Sequence, residues 1–252
     1  MFFNTQREMT FIDHLEELRW RIIKIFLGII VGAIICWIFI DVLVEGILLE
    51  PVRSINSKNP VGPQLRLQNL KPFGQVLLYM EIGFIGGIVI SLPNFFYQVW
   101  MFIAPGLLPR ERKYISRIVA FSTLCFLAGI TFAYFVILPT ALKFFAVFGT
   151  PQIENNIAIT EYMNFIISLM LGAGIVFELP MVSWFLARLG ILTPKFMRKY
   201  RRHAIIIILI LAAILTPGTD PVSQILLAIP LMALYELSIW IAKVASKPQL
   251  AG

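Results

Sequence analysis

The sequence predicts an all-α integral membrane protein, a single polytopic domain over residues 1–252 with six transmembrane helices and both termini cytoplasmic. Three observations predict it. Hydrophobic residues make up 59% of the chain and charged residues 14%, with a mean hydropathy of +0.85, which leaves too little polar surface for a soluble domain of this size. Apolar segments recur near the length of about 20 residues that a helix needs to cross roughly 30 Å of hydrocarbon. Finally, of the 21 lysines and arginines, only Arg53, Lys58, Arg66, Lys71 and Lys143 fall in the first, third and fifth connections. The rest sit in the two tails and the second and fourth connections, so the positive-inside bias puts both termini in the cytoplasm. Most of the net charge of +7 is this topological bias and gives no sign of nucleic-acid binding.

In chain order, a cytoplasmic amphipathic segment (residues 1–21) precedes spans at about 22–40, 76–97, 115–138, 160–187, 204–215 and 222–242. The first span is not a cleavable signal, because no Ala-x-Ala site follows it and further spans come after. The outer loop from Asp41 to Gln75 is rich in proline and asparagine, including Pro51, Pro60, Pro63, Pro72, Asn56, Asn59 and Asn69, and is expected to be turn-rich with a short amphipathic helix or cap. The fifth span is weak, since its dozen or so residues give only about 20 Å of helix. Such a helix thins the bilayer locally or is sheltered by its neighbours. Prolines 93, 180 and 230 interrupt the second, fourth and sixth spans, and helices kinked in this way make a concave body instead of a straight bundle.

Little in the chain can do covalent chemistry. Cys36 and Cys125 lie in apolar spans, where a thiol behaves as a small hydrophobe. His14 and His203 are the only histidines, and no HExxH, GxSxG, CxxC or Walker-type loop occurs. The expectation is a non-enzyme without cofactor or metal. Glu178, in the fourth span, is the most anomalous charge: a carboxylate at that depth costs about 2.5 kcal/mol or more unless protonated, paired or hydrated, which makes it a functional-site candidate. A satisfied Glu178, hydrogen-bonded to Gln98, Asn94 or Glu236, is the structural alternative. Cytoplasmic acids are few: Glu8, Asp13, Glu16 and Glu17 before the first span, and Glu111 in the second connection. A cation-binding site on this face has to be built from them, whereas an anion would go to the Arg198–Arg202 cluster. Two readings of the N-terminal segment stay open. Thr10 with Asp13 resembles a helix cap, and Glu17 with Arg21 is an i,i+4 pair, as in an amphipathic anchor; equally, Glu17 can serve a ligand.

Several separated stretches then agree. They are His14-Leu15-Glu16-Glu17-Leu18-Arg19, the run Tyr97-Gln98-Val99-Trp100-Met101-Phe102-Ile103-Ala104-Pro105-Gly106-Leu107 with Glu111-Arg112, Phe132-Ala133-Tyr134-Phe135 with Pro139, Phe177-Glu178-Leu179-Pro180, and Thr216-Pro217 followed by Ser223-Gln224-Ile225-Leu226-Leu227-Ala228-Ile229-Pro230. Together the chain resembles the TatC family, the multispanning receptor subunits of the twin-arginine (Sec-independent) protein translocase. The resemblance implies a glove-shaped six-helix bundle in the bacterial cytoplasmic (inner) membrane, with spans five and six short. It implies binding of twin-arginine signal peptides of folded cargo through Glu17 and Glu111, with Arg19 and Phe102 near the same site. Two guanidinium groups call for carboxylates in charge-assisted, bidentate geometry. Glu178, with Gln98, matches polar positions implied to organise partner subunits or thin the membrane. Pro51, Pro72, Asp220 and Gln224 match structural or subunit-contact positions, although the link Pro217-Gly218-Thr219-Asp220 is longer than the family's usual proline-rich connection. The implied partners are the single-span subunits TatA and TatB, docking along the fifth span, and other copies of the chain. Translocation is implied to run on the proton-motive force, with no nucleotide.

Two rival classes compete. A small-molecule secondary transporter would explain an intramembrane Glu178 and broken helices but calls for paired repeats, which the chain lacks. A structural scaffold does not explain Glu17 and Glu111 on an otherwise basic face.

Overall fold

The computed structural model describes residues 11–58, 64–104, 115–147, 156–215 and 221–246. Contacts divide the chain into two units, Met1–Ile40 with Met80–Thr123, and Asp41–Tyr79 with Leu124–Gly252.

The first unit is built on α1 (Phe11–Ile38) and on α3 (Gly74–Ile103) from Met80 onward. From Phe11 onward, the described part of the expected amphipathic segment and the first span form one uninterrupted helix, since no proline or glycine pair falls where the polar stretch meets the apolar one. Small residues set its packing on α3. A Cβ on Gly32 would stand 2.5 Å from the Gly87 carbonyl oxygen, and one on Gly87 2.6 Å from the Ala33 nitrogen, so the two backbones touch at this crossing. Membrane helices associate by such close approach because lipid and leucine are equally apolar. Cys36 is a free, fully buried thiol that donates to the Ile82 carbonyl at 3.6 Å, filling the role of a small hydrophobe. α3 continues through Pro93 without a break.

In the second unit a π-helical segment (Val42–Leu48) leads into α2 (Glu50–Lys58), the short amphipathic helix expected of this loop, with Pro51, Val52 and Ile55 buried. The Asn56 side chain bonds both the nitrogen and the carbonyl of Leu65, at 3.0 and 2.9 Å, standing in for a strand neighbour. Beyond it, β1 (Arg66–Gln68) pairs in parallel with β2 (Asn156–Ala158), with Leu67 opposite Ile157. This small sheet is an addition to the all-helical expectation. Three-residue strands carry too little periodicity to be read from sequence.

α4 (Ile115–Phe132), a second π-helical segment (Ala133–Ile137) and α5 (Leu138–Val147) form one helical run, longer than the expected third span. α6 (Ile159–Phe177) and α7 (Leu179–Arg188) form the fourth, separated at Glu178 because Pro180 enters the first turn of α7. α4 and α6 also meet through glycine: a Cβ on Gly129 would lie 2.6 Å from the Ala173 carbonyl oxygen. Tyr134 and Tyr162 donate to the carbonyls of Ile47 and Leu48, both at 2.8 Å, and so satisfy the C-terminal carbonyls of the first π-helical segment. The core around them includes Ile137, Leu138, Leu142, Met163, Ile166 and Leu169.

α7 ends in a left-handed Gly190 (φ 72°), whose nitrogen bonds the Ala187 carbonyl while that of Ile191 bonds Leu186. This is a Schellman cap. Thr193 then caps α8 (Pro194–Lys199), its hydroxyl accepting from the Phe196 nitrogen at 3.2 Å. α9 (Arg201–Leu215) has 15 residues, and α10 (Pro221–Ala245) runs through Pro230 to pack on α7 and α8 around Ala187, Met197, Ile239 and Ala242. Among the described residues five helical runs are long and apolar enough to cross a membrane: Ile12–Ile38, Gly74–Ile103, Ile115–Val147, Ile159–Arg188 and Leu227–Ala245. α9, at 15 residues, is the short helix expected at the fifth span, and the last crossing run, at 19 residues, is shorter than the four before it.

Candidate functional site

Several polar residues of the first unit converge on one cluster between α1 and α3. Glu17 lies one helical turn before Arg21, so both side chains fall on one face of α1. The Glu17 carboxylate oxygen Oε1 accepts from Arg21 Nε at 2.9 Å and also from Arg21 Nη2. The remaining guanidinium nitrogen, Nη1, reaches across to the Gln98 side-chain oxygen at 3.3 Å. Gln98 in turn donates to Asn94 Oδ1 at 3.4 Å, and Asn94 donates to the Lys24 carbonyl at 3.1 Å. A chain of donors and acceptors thus runs from α1 to α3 and back to α1. Gly28 makes room for it, since a Cβ there would run into the Asn94 amide.

The ion pair is largely shielded: the Glu17 side chain is 19% exposed and that of Arg21 14%, while Gln98 is 7% exposed. Charge-assisted bonds of this kind are about twice as strong as neutral ones, and partial burial strengthens them further. The other carboxylate oxygen, Oε2, is buried without a hydrogen-bond partner among the described residues and lies 3.8 Å from His14 Nδ1. The His14 imidazole is itself stacked on Phe102, with ring centroids 4.3 Å apart and planes 13° from parallel. Glu17, Gln98 and, through His14, Phe102 are therefore brought together. Arg19 is exposed on α1. Glu111 and Asp220 lie outside the described residues.

Sequence reasoning took Gln98 with Glu178; the structure gives it Arg21 and Asn94 as hydrogen-bond partners. It also weighed Glu17 with Arg21 as an i,i+4 anchoring pair against Glu17 as a ligand site; in the structure the pair is one arm of an interhelical cluster that includes His14 and Asn94. The signal for the missed residues was the Asn94–Gln98 spacing of four on a mostly apolar helix, matching the equally spaced Glu17 and Arg21.

In the second unit, Glu178 sits at the α6–α7 break. Its nitrogen bonds the Ile175 carbonyl at 3.1 Å and its own carbonyl accepts from Val182 at 2.9 Å, so the backbone stays satisfied through the interruption. The side chain is half-buried, with Oε1 shielded from solvent. Pro51 is buried at the start of α2, and Pro72 is exposed just before α3. Gln224 donates to the Leu209 carbonyl at 3.1 Å, tying α10 to α9. Exposed Arg201 pairs with Glu236 across the same two helices.

No group of three or more histidine, cysteine or carboxylate side chains among the described residues could hold a metal ion. The arrangement in the first unit is suited to holding a guanidinium group, a task it already performs on Arg21.

Residues 13–230 match the family of Sec-independent protein translocase proteins, TatC. The chain is 38% identical over 246 residues to the Sec-independent protein translocase protein TatC of Carboxydothermus hydrogenoformans, covering 98% of each chain. It is 39% identical to that of a Helicobacter pylori strain, over 92% of this chain and 87% of the relative. A chloroplastic relative from Pisum sativum is 35% identical over 96% of this chain and 66% of its own length. Among solved structures, the crystal structure of the twin-arginine translocase receptor TatC superposes with a TM-score of 0.80 at 33% identity, covering 93% of this chain and all of the other.

Proposed function

The chain belongs to the TatC family of Sec-independent protein translocase proteins, and from that premise we propose that it is the receptor subunit of a twin-arginine translocase, recognising arginine-pair signal peptides through Glu17. The observation that carries this reading is that Glu17 already holds a guanidinium group, that of Arg21, in a shielded site walled by Gln98, His14 and Phe102. A carboxylate placed for one arginine is chemically suited to another. Glu111 supplies the second carboxylate, and Arg19 and Phe102 line the approach.

The receptor is a multi-pass protein of the bacterial cytoplasmic membrane with both termini on the cytoplasmic side, and it is not an enzyme. Single-span TatA-type and TatB-type subunits dock along α9, which presents Ile206, Ile207, Ile210 and Ile214, and Glu178 organises that assembly from the α6–α7 break. The proton-motive force drives translocation of the folded cargo.

Photo-crosslinking of a signal peptide to the membrane-reconstituted chain tests the site. Crosslinks next to Glu17 are expected to require the arginine pair and to fall about tenfold with Glu17→Gln or Glu111→Gln, the size of a lost charge-assisted contact. Crosslinking that is indifferent to both carboxylates would overturn the assignment. Failure of any arginine-pair peptide to bind, with partner subunits present, would turn attention to small-molecule transport.

A further inference from the structure

The Glu17 site is occupied from within. Between residues 13 and 24 the acids Asp13, Glu16 and Glu17 are balanced by Arg19, Arg21 and Lys24, so no surplus negative charge is left to draw in a cation. A ligand arginine reaches the Glu17 carboxylate by exchange with Arg21, and the cost of that exchange depends on what the newcomer offers in return. All three guanidinium nitrogens of Arg21 are engaged, two on Glu17 Oε1 and one on Gln98. When Arg21 leaves Glu17, its bond to the Gln98 oxygen holds it against α3, and Gln98 is itself fixed by Asn94. The vacated carboxylate presents Oε1 together with Oε2, which has no hydrogen-bond donor of its own.

We propose that Arg21 is the specificity-determining residue for arginine over lysine at this site, acting as an internal guanidinium that only another guanidinium can displace. The proposal rests on the peptide-receptor reading above. An incoming guanidinium offers a planar fork with parallel N–H donors for both carboxylate oxygens and so replaces what Arg21 gave up. An ammonium is a point charge with no such fork and leaves one acceptor unmet. Selectivity thus arises by competition with a built-in rival as well as by the ligand's own contacts.

The test measures binding of fluorescent signal peptides carrying Arg-Arg or Lys-Lys to the full chain in lipid nanodiscs, comparing wild type with Glu17→Gln, Arg21→Gln and Arg21→Lys. Wild type is expected to prefer the Arg-Arg peptide. Arg21→Gln is expected to bind the Lys-Lys peptide about tenfold tighter than wild type does while changing Arg-Arg binding less, so that the preference collapses. Arg21→Lys keeps the charge and the ion pair but loses the fork, and its preference is expected to fall as well. That variant decides the question if Arg21→Gln does not fold. A preference retained in Arg21→Lys, or in a folded Arg21→Gln, overturns the proposal while leaving the receptor reading intact. If wild type shows no preference, or Glu17→Gln binds both peptides as wild type does, the receptor reading of this site fails and the proposal with it.

Discussion

Glu17 and Arg21 are separated by one helical turn and would be unremarked on any surface helix, where such a pair contributes about 0.3 to 0.5 kcal/mol. Shielding and the reach of Arg21 to Gln98 change the meaning of the pair. The sequence exposed the carboxylate, because acids are scarce on a basic face, but not its partners: which residue of α3 stands opposite α1 depends on the glycine crossing at Gly32 and Gly87. Tyr162 is a second residue whose role is tertiary. Buried in the second unit, it donates to the Leu48 carbonyl, a group the π-helical segment leaves open. Tyr162→Phe is expected to lower stability by about 1 kcal/mol, the scale of an interhelical hydrogen bond in a membrane protein. Thermal unfolding in detergent measures it, and an unchanged midpoint would mean that the carbonyl finds another donor.

Helix ends were the most legible elements wherever the chemistry is local. Gly190 and Thr193-Pro194 carry a glycine stop and a threonine–proline start in their own residue types, a signal the span reading did not use, and the structure makes of them a Schellman cap and an N-cap. Because Gly190 is at φ 72° with open space around it, Gly190→Ala is expected to destabilise the chain by about 1 kcal/mol through backbone strain alone. The same unfolding assay would show this, and a shift to higher temperature would contradict it. Other boundaries were hidden. Where α1 begins, polar and apolar stretches share one uninterrupted helix, so a hydropathy reading places the span start well inside it. The π-helical turns and the β1–β2 pair were invisible because their stabilising partners, Tyr134, Tyr162 and the facing strand, come from distant sequence.

For the whole molecule, the order of the apolar spans followed from apolar length, including the short α9, while the short helices between them and the division into two units did not, because these depend on which elements touch. Chain orientation belongs to this scale too. The lysine and arginine bias predicts that a cysteine introduced in the tails or at Arg198 is protected from an impermeant thiol reagent added outside intact cells, while one introduced at Lys58 reacts. The reverse pattern would invert the topology. One further consequence concerns chain length. The helical turn Ala133–Ile137 is one residue too long for a regular α-helix, so the sequence holds an insertion that a single deletion would erase. Removing Val136, which is exposed, would restore regular α-helical bonding and leave the residues after it near their places, so the damage would fall on the turn itself, where buried Ile137 and Tyr134, the donor to the Ile47 carbonyl, would lose their present facing. The expected result is loss of folded protein, read as aggregation on solubilisation. If the shortened chain folds normally, the extra residue is slack. If it does not, the more regular helix is the less viable one.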